Sequence, residues 1–282
     1  MTATERMKIT RQTLEESVVV ATTKNNDIFE TLTPNIELIA ELVIDNVLGD
    51  VGMEAIEDGK HNDLLKAAQW AICREAFLDS VAHLDLVLTA TGFGVVNTQD
   101  TAPASRQRVE ALRDMVSRQW LKSFSHLVNL LIKVDGWGDT AQAEAQIHNV
   151  FYSFDHLVRY ASNGSQLSET DWQKAQPLIN QADDKLRWLV SDEEMKDLLS
   201  RLRCSQLTET QNTVVEHMRR FIGTYIVFGN FNGTKGIIGH ILRTMEENID
   251  DFLPYKNSQT YKARHFQDYE NTKDSPLFIF NG

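Results

Sequence analysis

The chain has 282 residues, a hydrophobic content of 42% and a charged content of 24%, values typical of a soluble globular protein. This length is enough for one large domain or two ordinary domains. No apolar run approaches the roughly 18 residues that cross a bilayer, and a net charge of −12 weighs against sequence-independent binding to nucleic-acid phosphates or to anionic membranes.

Two cysteines, Cys73 and Cys204, lie within helical patterns. This placement predicts two buried free thiols rather than a disulfide framework, and it fits a reducing compartment. The first ten residues, MTATERMKIT, lack the apolar segment of a secretory leader, so we expect no signal peptide.

The first third of the chain predicts an arm followed by helices. Residues 1–31 are polar and predict a partly extended N-terminal arm with one short helix, from Thr10 to Glu16. Thr33-Pro34 is typical of a helix start, because Thr can cap and Pro fits the first helical position. This helix should end at Gly49, and a turn-rich loop, 50–59, should precede a second helix that opens at Asn62.

A small β-hairpin is predicted at about residues 84–97. Apolar residues alternate there at Leu86, Leu88, Phe93 and Val95, and Thr91-Gly92 supplies a turn. A hairpin held between two core helices is usually a device for contacting another molecule. We therefore expect these four apolar side chains to make intermolecular contacts.

A long helix is predicted after Ser105, and its apolar stripe from Val109 to Leu131 would span on the order of 40 Å. The segment 135–139, DGWGD, should break it, and a further helix is expected from about Thr140 to Ala161. The short polar segment 162–165, SNGS, is the best candidate for a domain boundary.

Three capping-box patterns beyond that boundary predict helix starts, at Ser168…Asp171, Ser191…Glu194 and Thr208…Gln211. Pro177 should kink or restart the first of these helices. A last pair of helices flanks the loop 229–233, and the helical pattern is expected to end near Pro254. Residues 255–282 then form an extended C-terminal tail.

The tail carries a short apolar run, Pro276-Leu277-Phe278-Ile279-Phe280, after a polar segment that cannot bury it locally. One interpretation is that the run docks on its own domain, as chain termini often do. The other is that it adds a strand to, or fills a groove on, a neighbouring subunit. Either interpretation requires a receptor surface, because an uncovered run would favour aggregation.

No pattern in the sequence predicts reaction chemistry, a cofactor or a metal. The eight histidines are scattered rather than clustered at the short spacing of a zinc site. Gly92-Phe93-Gly94 lacks the third glycine of a dinucleotide fingerprint, and the segment 229–236 departs from the Walker pattern. Carboxylate pairs such as Glu193-Glu194 are expected at helix starts or on solvated faces. We therefore predict a protein that is not an enzyme and that uses no cofactor.

The block DLVLTATGFGVVNTQDTAPASRQRVEALRD, residues 85–114, resembles the signature of a poorly characterised family of proteins from phages and prophages of gut Bacteroidales. Three weaker features are also similar: Met7-Lys8-Ile9, the capped helix at Asp171-Trp172…Ala175, and the run from Ser275 to Phe280. Members of that family resemble virion head–tail connectors or adaptors. The resemblance implies a structural role and identifies no functional residues.

These observations predict a mostly α protein, a multi-helix bundle with one small β-hairpin, a partly extended N-terminal arm and an extended C-terminal tail. The expected divisions are an arm (1–31), a helical domain with the hairpin (32–163), a second helical segment that is free to pack with the first (164–254), and a tail (255–282).

The predicted function is that of a virion neck or head–tail adaptor subunit that forms a ring through hairpin and tail contacts. Its partners would be copies of itself and other virion proteins such as portal or tail components. It would reside in the virion, and in the host cytoplasm before assembly. DNA contact, if made, would not be sequence-specific, and no membrane contact is expected. The alternatives are a soluble dimeric interaction protein of a prophage or host bacterium and, less favoured, an uncharacterised enzyme.

Overall fold

The structure is a computed structural model, which describes residues 1–18, 27–81, 86–89, 92–95, 105–162, 164 and 166–266. The chain is mostly helical, as predicted. The helices of the first half are α1 (Ala3–Arg6), α2 (Arg11–Ser17), α3 (Asp27–Val43), α4 (Gly49–Glu57), α5 (Asn62–Ser80), α6 (Arg106–Leu131) and α7 (Ala141–Gln146). Those of the second half are α8 (Phe154–Ala161), α9 (Glu169–Val190), α10 (Asp192–Arg203), α11 (Glu209–Phe228), α12 (Lys235–Glu247), α13 (Leu253–Asn257) and α14 (Gln259–Arg264).

Two short strands, β1 (Leu86–Thr89) and β2 (Gly92–Val95), pair antiparallel between α5 and α6. Leu86 lies opposite Val95, and Leu88 lies opposite Phe93. Both strands fall inside the range predicted for the hairpin. The residues that join and flank them lie outside the described residues, so the contacts of this pair stay a prediction.

The N-terminal residues pack closely on the helical body. The short helix predicted from Thr10 to Glu16 is present as α2, and Thr10 caps it by accepting a hydrogen bond from the Thr13 amide. Met7 and Leu14 are buried, and Gln69 of α5 donates a hydrogen bond to the Met7 carbonyl at 2.9 Å. These contacts hold the two short helices against α3 and α5.

The predicted start of α3 at Thr33-Pro34 is wrong. The helix begins at Asp27, and Pro34 lies inside it. The Thr33 hydroxyl donates to the Phe29 carbonyl at 2.7 Å instead of capping. Pro34 has no amide to bond the carbonyl of Glu30, but both residues are exposed, so water can satisfy that carbonyl.

The predicted loop 50–59 is also wrong, because helix fills most of it. A π-helical segment, Ile44–Leu48, follows α3, and the backbone turns at Gly49 with a φ of +62°. The chain then re-enters a helix at once, as α4. Burial explains the helix: Met53 and Ile56 face the core, and an added Cβ at Gly52 would lie 3.2 Å from Leu131 Cδ2.

The two long helices α5 and α6 confirm the sequence prediction. α5 opens at Asn62, and α6 begins directly after Ser105 and runs for 26 residues, about 39 Å at the α-helical rise. Arg74 of α5 joins them: its guanidinium donates to the Gln119 carbonyl at 3.2 Å and to the Ser123 hydroxyl. The break expected at 135–139 is present as a turn and one 3-10 segment.

The single helix predicted from Thr140 to Ala161 is two helices, α7 and α8. Asn149 interrupts it, because its side-chain oxygen accepts the Phe151 amide at 2.8 Å and so stabilises a turn. Ser153 then caps α8 by accepting the Asp155 amide at 3.1 Å. His148, which the sequence placed on one helix with His156, therefore lies in the segment between α7 and α8, and His156 lies in α8.

In the second half, the capping boxes at Ser168 and Thr208 are confirmed with both reciprocal hydrogen bonds. α9 runs through Pro177 without restarting. The prediction that helix ends near Pro254 is wrong, because α13 and α14 follow. Tyr255, the first residue of the predicted tail, is fully buried, which explains why this part of the chain folds onto the body.

The buried hydrophobic residues form one continuous cluster that extends from Ala3 to Tyr255. Trp137 belongs to this cluster and is fully buried, and its indole donates to the Val47 carbonyl at 3.0 Å. Helices from both halves of the chain contribute to this cluster, including α5, α6, α9 and α11.

Two helical glycines allow a test of this packing. A Cβ at Gly223 of α11 would lie 2.5 Å from Tyr160 Cβ, whereas a Cβ at Gly239 of α12 meets nothing within 4 Å. We expect Gly223→Ala to destabilise the fold by about 1–3 kcal/mol through overpacking. Gly239→Ala should stabilise it by about 0.5–1 kcal/mol, because alanine favours helix. Urea unfolding of both variants checks this pair, and a stabilising Gly223→Ala would contradict the close approach of α8 and α11.

Candidate assembly surfaces

A groove of about 810 Å³ lies where α9, α10 and α14 meet. Its walls are the last turns of α9, the first turn of α10 and one side of α14. The lining residues are Asp184, Arg187, Trp188, Ser191, Asp192, Glu193, Gln259, Thr260, Ala263 and Arg264. This volume falls in the range of sites that enclose a small ligand or several side chains of a peptide.

One exposed aromatic side chain lines the groove, and a second follows the lining residues in sequence. Trp188 in its wall is 68% exposed, and Lys185 Nζ lies 3.8 Å from the Trp188 ring. Phe266 is 74% exposed and follows Arg264, a lining residue, by two positions. Large aromatic side chains left in water at a concave surface are typical of binding sites.

Both arginines in the groove are held by neighbouring groups. Arg264 donates to the Leu189 carbonyl at 2.7 Å and to the Tyr255 hydroxyl at 2.8 Å. Arg187 pairs with Asp183 at 2.7 Å and with Asp192 at 3.6 Å. These bonds fix α14 against the end of α9 and pair both arginines, while the Asp184 and Glu193 carboxylates of the lining are exposed.

Ser191 joins α9 to α10 without a loop. Its amide donates to the Arg187 carbonyl and ends α9, while its hydroxyl accepts the Glu194 amide at 3.2 Å and starts α10. One residue that ends one helix and starts another must make a sharp turn, and Ser191 adopts a φ of +96° and a ψ of 153°. Only glycine visits this region without strain.

Glu194 attaches the C-terminal helices to α10. Its side chain is fully buried, and Oε2 accepts the Tyr255 amide at 2.9 Å, while Oε1 has no protein partner. The sequence predicted a reciprocal capping box at Ser191…Glu194; Ser191 does cap, but the Glu194 side chain bonds α13 instead of its own helix start. Burial raises the pKa of Glu194 from 4.5 to about 7, and the neighbouring Asp197 adds to this.

A second apolar surface lies on α3, far along the chain from the groove. Leu38 and Leu42 are 52% and 47% exposed, and Pro34 is exposed one turn earlier. Residues four apart lie on one face of a helix, so these three form an exposed apolar ridge, which we call the α3 ridge. The opposite face of α3 is buried against α1 and α5.

The residues predicted to make contacts fall into two groups. Leu86, Leu88, Phe93 and Val95 occupy paired positions in the two-stranded ladder. The run Pro276, Leu277, Phe278, Ile279 and Phe280 lies outside the described residues. Sequence reasoning missed both the α3 ridge and the groove, although it noted Ser191…Glu194 as a capping pattern.

The two cysteines differ in burial. Cys73 is buried, and burial raises the pKa of its thiol to about 12. Cys204 is only half-buried, at the end of α10, so the prediction of two buried thiols is wrong for that residue.

Across the described residues, no group of three or more His, Cys, Asp or Glu side chains could hold a metal ion. None of the described helices is long and apolar enough to cross a membrane.

Residues 12–147 match the model of a family of unknown function, DUF6712. The chain is thus similar to that family over slightly less than half its length, from α2 to just past α7. No curated protein and no solved structure matches the chain. The α3 ridge falls inside the matched segment, and the groove falls outside it.

The strained backbone at Ser191 predicts the order of stability of two variants at this position. Ser191→Ala removes the cap and keeps the strain, so it should cost about 0.5–2 kcal/mol. Ser191→Gly loses little capping and relieves strain on the order of 1 kcal/mol. Thermal or urea unfolding should therefore place the Gly variant above the Ala variant in stability; the reverse order would contradict the positive φ.

The buried Glu194 carboxyl predicts a pH-dependent stability. Between about pH 4.5 and 7 the unfolded chain releases this proton while the folded protein keeps it. The free energy of unfolding therefore falls as the pH rises through that window, by on the order of 1–3 kcal/mol, and levels off above it.

Glu194→Gln should remove this fall, because the amide oxygen still accepts the Tyr255 amide and carries no charge. The exposed Glu193→Gln is the matched control and should keep it. The measurement is urea unfolding from pH 4.5 to 8. Equal pH profiles for the two variants would mean that the Glu194 pKa is not raised.

Proposed function

We propose that the protein is a structural subunit that assembles with copies of itself and with other virion proteins, as a neck or head–tail adaptor. The single observation that carries the proposal is the α3 ridge, an exposed apolar surface on a helix whose other face is buried. The resemblance of residues 85–114 to phage proteins supports the virion setting. On this proposal the chain has no catalytic role.

Two different surfaces suit a head-to-tail assembly. In such an assembly each copy offers one patch to the copy ahead and a different patch to the copy behind, and rings form when the rotation closes. The α3 ridge and the groove are built from different helices, since α3 packs on α1 and α5 while the groove is lined by α9, α10 and α14. The β1–β2 pair and the tail would add contacts to neighbours.

The strongest competitor is a dimeric interaction protein. Such a dimer would use the same patch on both copies, with the α3 ridge of one packed on the α3 ridge of the other. The two proposals differ in stoichiometry, because a dimer contains two copies and a ring of this kind contains more than two.

Replacing Leu38 and Leu42 together by lysine tests the proposal. Lysine keeps helix propensity, so folding should be unchanged, while two charges on the ridge should abolish assembly. Light scattering and electron microscopy, alone and with portal protein, report the assembly state. Ser200→Lys with Thr213→Lys adds the same charge at exposed helical positions elsewhere and should assemble normally. A ring that survives the ridge variant, or a wild-type species that stops at two copies, would overturn the proposal.

A further inference from the structure

The groove between α9, α10 and α14 lies next to the point where the chain leaves the described fold. Ala263 and Arg264 line the groove, and the last described residue, Phe266, follows them by two positions. We propose that in the free subunit the chain's own segment Leu277–Phe280 occupies this groove.

The linker between Phe266 and the apolar segment is long enough for the segment to reach the groove. Ten residues, 267–276, separate Phe266 from the apolar segment. Fully extended they span at most about 33–36 Å, and a flexible chain of that length has an end-to-end distance of roughly 16–19 Å. Because α14 is itself a wall of the groove, the linker starts beside the groove, and the segment needs only to fold back onto α14. A tether of this length gives an effective concentration on the order of millimolar.

The groove lining offers apolar contacts between its charged and polar side chains. The exposed Trp188 ring and the Ala263 methyl offer apolar contact, while Arg187 and Arg264 are already paired. An apolar side chain placed there would therefore leave no arginine without its partner. Gln259 and Thr260 at the rim can hydrogen-bond the backbone of an incoming segment.

The apolar side chains of the segment also need a surface that shields them from water in the free subunit. Leu277, Phe278, Ile279 and Phe280 are four consecutive apolar residues that follow the polar stretch 267–275. Docking in the groove would bury these four side chains and Trp188 together. Docking on its own chain does not depend on protein concentration, whereas docking on a second copy does. In a ring the same contacts can pass to a neighbour's groove by exchange of the tail, so this inference does not depend on the ring itself.

A photo-crosslink in the full chain tests the inference directly. p-Benzoyl-phenylalanine replaces Phe278, the dilute protein is irradiated, and the digest is sequenced by mass spectrometry. We expect a link from position 278 to the groove segments 184–193 or 259–264, formed within one chain and migrating as a monomer. The same probe at Tyr269, in the polar part of the tail, is the control and should give that link in much lower yield.

Trp188 provides an independent readout, because the other four tryptophans are buried or half-buried. Its emission, taken as the difference between wild type and Trp188→Phe, should resist acrylamide quenching in the wild type. Phe278→Ser with Phe280→Ser should abolish that protection, and a peptide of residues 275–282 should restore it. Tyr269→Ser should leave it intact.

Several results would overturn the inference. They are crosslinks between chains, protection of Trp188 that grows with protein concentration, a link to the α3 ridge, or equal quenching in the wild type and the double serine variant. Failure of ring assembly with Trp188 still protected would reject the proposed function and leave this inference standing.

Discussion

The buried carboxyl of Glu194 is the interaction on which the C-terminal architecture depends. It lies in the first turn of α10 and accepts the backbone amide of Tyr255, so one side chain joins α10 to α13. Arg264 then ties α14 to the end of α9 through the Leu189 carbonyl. Without this chain of bonds the groove would lack one wall. Burying a carboxyl beside a single donor also explains why its pKa rises and why the attachment is sensitive to pH.

The joint at Ser191 solves a related geometric problem. Two helices that follow each other without a loop must change direction within one residue, and the backbone there is strained. Serine occupies this position although glycine would adopt the backbone conformation with less strain. The serine hydroxyl caps the start of α10. The strained backbone of Ser191 and the buried carboxyl of Glu194 both lie beside the groove.

Sequence patterns predicted helices well and their boundaries less well. The long α6 and the caps at Ser168 and Thr208 follow from local rules, and each was found where expected. The errors came where tertiary contacts override those rules. Pro34 is tolerated inside α3 because the carbonyl it leaves unbonded is exposed, and α13 forms because Tyr255 is buried against α10.

The candidate surfaces were harder to predict for a different reason. Apolar periodicity predicts which residues can be buried, but it does not tell which of them find no partner. Leu38, Leu42 and Trp188 have the residue types of core positions, and only packing reveals that each of them stays exposed in the described part of the chain. A capping-box pattern marked Ser191…Glu194, yet the bond between Glu194 and Tyr255 spans 61 positions and leaves no trace in the local sequence.

An apolar ridge on one helix and a groove with an exposed tryptophan are together consistent with a protein whose surface is shaped for contact with other chains. On this account the groove serves the free subunit and the ridge serves the assembly. The most direct test of the central claim is electron microscopy of the assembled protein at a resolution that places its helices. The account predicts a closed ring of more than two copies with α3 of each copy buried against the next. A ring or dimer in which Leu38 and Leu42 face solvent would contradict it.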